Sequence, residues 1–138
     1  VVFALLLIAC FFMGYEEIVK NLITWWLVTT DKNIISVVEN ISERCSGYDC
    51  LEMMNNWVYS HIKYDISKIG KFQSSSDVLK SKSGVCKDKA ILLLAMGKAM
   101  GFEGELFTYD RHMVVIFKSP YFAVCDPTAG TCIRLNLT

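Results

Sequence analysis

The sequence predicts an α+β domain, helices first and an antiparallel meander last, and three observations carry the prediction. Apolar residues recur at helical spacing through most of the first hundred positions. After Gly101 they break into short runs separated by turns. Between these two regimes, Ile91 to Met100 is apolar nearly all round its circumference, which requires burial against the sheet that follows.

Each element has its own signal. Val1 to Tyr15 holds no charge and a single glycine, a run shorter than the ~20 residues that span a bilayer. It reads as a membrane anchor or the remnant of a signal segment, with a buried core helix as the plain alternative. Leu7-Ile8-Ala9-Cys10 also fits a lipoprotein cleavage box, but Phe11-Phe12-Met13 makes a poor polar linker, so an uncleaved membrane helix ranks above a lipid anchor. Residues 16–44 form a helical lead-in. Ile18, Val19, Leu22, Ile23 and Trp26 mark one helix, and Trp25 and Trp26 belong either to its core face or to an interfacial anchor. Asp31 is a good N-cap for a second helix with Ile34, Ile35, Val38 and Ile41 on one face.

Residues 45–138 form the main domain. Cys45 to Cys50 is a loop, and Leu51, Met54, Trp57, Val58, His61 and Ile62 make a helical stripe in which His61 is a helix-end residue. Gly70 to Ser76 is a polar loop. The helix beginning at Cys86 ends at Gly101, a reasonable C-cap. Strands are expected over 102–109, 112–117, 121–125 and 131–135, with turns at Asp110-Arg111 and Lys118-Ser119-Pro120.

The chain has 14 basic and 14 acidic residues, so no net field recruits nucleic acid. Of six cysteines, Cys45/Cys50 and Cys125/Cys132 lie as two close pairs. Four cysteines allow three pairings; local pairing closes two small loops and is preferred, and disulfides would place the domain outside the cytosol. Four free, buried thiols are the plain alternative. No Cys-x-x-Cys and no finger-like histidine spacing points to zinc, so neither metal nor other cofactor is expected. Asn40-Ile41-Ser42 and Asn136-Leu137-Thr138 are glycosylation sequons, meaningful in a cell that glycosylates.

The chemistry concentrates in Ser83-Gly84-Val85-Cys86-Lys87-Asp88-Lys89-Ala90. It sets a thiol at the start of a helix, where unpaired N–H groups and the helix dipole favour negative charge. His112 opens an apolar run and Asp126 closes the next. Cys, His and Asp in that order are a nucleophile, a base and an orienter. Taken singly, Cys86 reads as a buried structural thiol and His112 as a strand-end residue. Asp110, two positions before His112, is the rival orienter. For the oxyanion the Cys86 backbone N–H is the first donor, with Gln73 or Tyr64 as weaker candidates for the second.

These residues resemble the transglutaminase-like superfamily, the papain/transglutaminase-like core. In that family a Gly-x-Cys opens a helix that ends in a glycine, a His heads a strand, and Asp-Pro-Thr closes the following one. Gly84-Val85-Cys86, Gly101, His112-Met113-Val114 and Asp126-Pro127-Thr128 stand in those places. Trp57 to Tyr64 looks like the first core helix and Ser76-Asp77-Val78-Leu79 like the short turn before the nucleophile. The likeness covers Cys50 to Ile133. It departs at Val114, where the family often has an aromatic.

The resemblance implies a nucleophile-bearing helix buried on an antiparallel sheet and a Cys86–His112–Asp126 triad working through a thioester. A peptidase or amidase acting on a protein or peptide is the expected activity, with hydrolysis favoured by the small size of the domain. A protein-cross-linking transglutaminase and a catalytically inactive binding module are the alternatives. The expected setting is membrane-anchored or exported, with the catalytic domain extracytoplasmic and the membrane contacted through the N-terminal segment.

Overall fold

The computed structural model describes the backbone of residues 1–136, with all their side chains except those of residues 9–13, 15, 16, 20 and 23. The Cys10 side chain of the lipoprotein box, and the last two residues of the second sequon, lie outside what is described. Two helices lead, α1 (Val2–Met13) and α2 (Tyr15–Leu27). Among the described residues no helix is long and apolar enough to cross a membrane. Trp25 and Trp26 are exposed and take no part in the core.

Asp31 caps α3 (Lys32–Ser42) by accepting the Ile34 N–H at 2.9 Å, and this hydrogen bond holds the Asp31 carboxyl below its ordinary pKa. Ile34, Val38 and Ile41 are buried as the spacing predicts, while Ile35 turns outward. Helix α4 (Asp49–His61) buries Leu51, Met54 and Val58, and His61 ends it with its ring stacked on Trp57.

The segment between α4 and Cys86 is more ordered than a polar loop. It contains β1 (Lys63–Tyr64), a 3₁₀ turn (Ile66–Lys68), helix α5 (Ser75–Ser81) and β2 (Ser83–Gly84). The turn expected at Ser76 to Leu79 is therefore the body of α5, started by a capping box in which Ser74 and Asp77 serve each other's backbone N–H. Strands β1 and β2 pair in parallel, Lys63 beside Ser83 and Tyr64 beside Gly84.

Helix α6 (Cys86–Ala99) is the axis of the core. Every residue from Asp88 to Gly97 is buried, which is why its apolar residues show no single face. On one side it packs against α3, α4 and α5. On the other it lies on β3 (Glu103–Tyr109) and β4 (His112–Ser119). The sheet continues with β5 (Ala123–Asp126) and β6 (Thr131–Arg134) in the order β3-β4-β5-β6, antiparallel throughout. The β3–β4 turn is tight, Asp110 and Arg111 both adopting positive φ. An α+β architecture with a buried nucleophile-bearing helix on an antiparallel meander is what the sequence predicts. Both local disulfides are formed, Cys45–Cys50 and Cys125–Cys132.

Candidate active site

Backbone geometry sets the start of α6. A Cβ added to Gly84 would lie 2.5 Å from the Asp88 Cβ, so only glycine lets the chain pass this close to the first helical turn. Asp88 is fully buried and its Oδ2 accepts the Val85 N–H at 2.9 Å, while its Oδ1 has no partner. This carboxylate caps the helix from inside the core and fixes the turn on which Cys86 stands. Cys86 is half-buried and is the free cysteine among the described residues.

The other end of the chemistry is built on the sheet. His112 heads β4, and its Nε2 lies 2.8 Å from Asp126 Oδ2 at the end of β5. Asp126 is itself held on every side. Its Oδ1 accepts the N–H groups of Thr128 and Ala129 at 3.0 and 3.2 Å, its carbonyl accepts the Asn55 amide at 3.3 Å, and the Cys125–Cys132 bridge closes the hairpin one residue away. The Tyr109 ring meets the imidazole edge-on at 5.8 Å. Asp110 sits in the β3–β4 turn, and no bond from it to His112 is formed.

Two contacts give α6 its direction over the sheet. Gly97 lies directly on the Phe117 ring, and a Cβ there would meet Phe117 Cε1 at 2.5 Å. Nearer the start of the helix, Lys89 feels the Asp126 charge, and its Nζ stands 5.7 Å from the centre of the Tyr59 ring, which packs on Gly130 just past Asp126. Helix and strand β4 therefore run the same way. Eleven residues back from Gly97 at about 1.5 Å each, and five back from Phe117 at about 3.3 Å each, cover the same ~16 Å. Cys86 and His112 thus stand towards the same end of the layer, with Asp126 bonded to His112.

Lys89, which the sequence offers with Lys87 either as a charge lowering the Cys86 thiol pKa or as a solvated side chain, is not solvated. Only 3% of it is exposed, and burial pushes its amine below the ordinary lysine pKa, with the Asp126 charge opposing that shift. Its signal was a lysine on a helix apolar all round. Asn55, which holds the Asp126 carbonyl from 71 residues away, carried no such signal. Of the oxyanion candidates, Gln73 is nearly buried and gives an amide N–H to the Ser83 carbonyl at 3.2 Å, while its Oε1 accepts from Ser81. Tyr64 pairs with Gly84 through its backbone, and its ring is half exposed. Val114, in place of the family's aromatic, is buried in β4. Among the described residues no group of three or more His, Cys, Asp and Glu is placed to hold a metal ion.

Residues 36–109 match the family model of the transglutaminase-like superfamily, and with more than half its length matched the chain belongs to that superfamily. The matched stretch contains Cys86 and stops just before His112. Among solved structures, the fold is similar to that of a proposed cysteine protease from Cytophaga hutchinsonii, with a TM-score of 0.54 at 16% identity. That likeness covers 74% of this chain and 40% of the other, so the chain spans about two-fifths of its neighbour's length. At this identity the likeness is one of fold. No curated protein matches the chain.

Proposed function

We propose that the chain is a cysteine-dependent acyl-transfer enzyme, a peptidase or amidase working through Cys86, His112 and Asp126. One observation supports this above the rest: His112 and Asp126 are joined at 2.8 Å at the end of the layer where α6 begins with its free thiol. Because Nε2 is committed to the carboxylate, Nδ1 is the nitrogen left for the sulfur.

The steps then balance. The Cys86 thiol proton passes to His112 Nδ1, and the sulfur attacks the carbonyl carbon of an amide. The C–N bond breaks as the imidazolium returns the proton to the leaving amine, which leaves a thioester. Water, deprotonated at the same nitrogen, attacks the thioester, and the acid and the thiol are released. Asp126 keeps the imidazole oriented throughout and stabilises its charged form. The Cys86 N–H is the first oxyanion donor; Gln73 and Tyr64 are the candidates for the second. A lysine amine in place of water would make the same thioester a cross-linking intermediate.

The setting belongs to the proposal. Two disulfides suit an oxidising compartment, and the apolar α1 suits attachment to a membrane, with the catalytic domain outside the cytoplasm. The test is Cys86→Ser on casein and on a glutamine-donor peptide, with and without an added primary amine. Loss of turnover supports the nucleophile, and unchanged turnover overturns it. Release of new termini or ammonia without amine incorporation distinguishes hydrolysis from cross-linking.

A further inference from the structure

An apolar face lies beside the nucleophile. Trp25 and Trp26 are 76% and 72% exposed, and Ile66, Ile69 and Phe72 are 71%, 65% and 73% exposed. The two groups come from distant parts of the chain and meet at Phe72 and Trp26, which line an open apolar groove with Leu22 and Leu27 of α2; Trp25 is the neighbour of Trp26, and Ile66 and Ile69 stand six and three positions before Phe72. Lys87 ties the loop down: its Nζ donates to the Lys71 carbonyl at 2.6 Å and stands 4.8 Å from the centre of the Phe72 ring. Lys87 follows Cys86 directly, so this face borders the rim of the proposed active site.

Charge identifies what covers it. Residues 61–90 hold seven lysines and three aspartates, half of the chain's 14 basic residues and a minority of its 14 acidic ones. Lys63 and Lys71 are exposed and Lys68 half-exposed in the stretch that carries Ile66, Ile69 and Phe72; Asp65 shares that stretch, and Asp88 and Lys89 are both buried. Apolar side chains edged by amines, with two adjacent tryptophans, have the chemistry of a bilayer interface. The rings and aliphatic tips enter the boundary between headgroups and acyl chains, and the amines meet phosphate and carboxylate. A second copy of this chain would bring the same lysines against each other, which like-charge repulsion opposes.

We propose that the domain docks on an anionic phospholipid bilayer through Trp25, Trp26, Ile66, Ile69 and Phe72, so that the Cys86 end opens at the lipid surface. This contact is additional to any made by α1. That the substrate is then a polypeptide held near the membrane rests on the proposed function; the docking does not.

The test uses the whole 138-residue chain carrying Phe72→Trp, with vesicles of phosphatidylcholine and phosphatidylserine brominated on their acyl chains. The emission of the added tryptophan, taken as the difference from the unsubstituted chain, should shift to the blue and be quenched by about half or more. Quenching should fall when phosphatidylserine is replaced by phosphatidylcholine, and fall again on adding Ile69→Glu, a substitution at an exposed site that leaves the fold intact. Emission indifferent to brominated vesicles overturns the proposal. So does emission that changes with protein concentration in the absence of lipid, which would give the face to a second copy. Cys86→Ser should dock as the unsubstituted chain does, so failure of the enzyme reading and failure of the docking are read separately.

Discussion

Asp126→Asn separates the proposed orienting role of this side chain from its structural one. The carboxylate makes three hydrogen bonds in two groups: Oδ1 accepts from Thr128 and Ala129, and Oδ2 faces His112 Nε2 at 2.8 Å. An amide can keep its oxygen on the Thr128 and Ala129 N–H groups. It then presents an N–H to the imidazole, which must turn an unprotonated Nε2 towards it and carry its proton on Nδ1, the nitrogen that should receive the thiol's. The turn keeps its bonds, so stability should change by no more than about 1 kcal/mol. Turnover should fall by about 10³ to 10⁴, the scale on which a misdirected tautomer disables such a site. Asp126→Ala loses all three bonds and should cost a further ~1–3 kcal/mol of stability, since water reaches part of this turn. Urea unfolding and peptide turnover, measured on both variants and on Asp110→Ala, give the numbers. Asp126→Asn within about threefold of the parent turnover refutes the orienting role, and a larger loss in Asp110→Ala moves that role to the β3–β4 turn.

Three other predictions rest on separate parts of the molecule. Gly84→Ala sets a Cβ 2.5 Å from that of Asp88 and should cost about 1–3 kcal/mol in urea unfolding, together with slower Cys86 alkylation. Replacing Cys125 and Cys132 by alanine opens a short loop and should cost about 2–3 kcal/mol, with turnover falling more than in a Cys45/Cys50 double variant because Asp126 adjoins the first bridge. Lys89→Met should raise stability at neutral pH, because burial lowers the folded-state pKa of this amine and the unfolded chain binds the proton more tightly. With Lys89 present, stability should rise as pH climbs from the folded-state pKa towards 10.5, so the advantage of Lys89→Met should shrink over that window in urea titrations at several pH values.

The candidate site residues were read through a resemblance: Gly84 before Cys86, and Asp126 followed by Pro127 and Thr128, match the family's pattern. Of these, the backbone explains Gly84, where a Cβ would run into Asp88. The two disulfides join cysteines five and seven positions apart, as a preference for small loops predicts. Other parts depend on partners far away in the chain. Strands β1 and β2 are two residues each, too short to show a period, yet they bring Tyr64 alongside Gly84. Helix α5 was hidden by its serines, although Ser74 and Asp77 spell its cap. Asn55 reaches Asp126 only once α4 lies across the end of the sheet. Trp25 and Trp26 fit a core stripe and an exposed face equally well by spacing, and packing decides for exposure.

The proposed pairing of Cys86 with His112 is the centre of the account, and alkylation reads it directly. The rate of iodoacetamide labelling at Cys86, located by mass spectrometry, is measured at about pH 6 in the parent chain and in His112→Ala. A proton taken up by the imidazole leaves a thiolate that reacts at a pH where an ordinary thiol is nearly inert. The parent should label at least about tenfold faster than His112→Ala. Equal rates, both as slow as a free thiol at that pH, would contradict the enzyme reading and leave the fold as an inactive binding module.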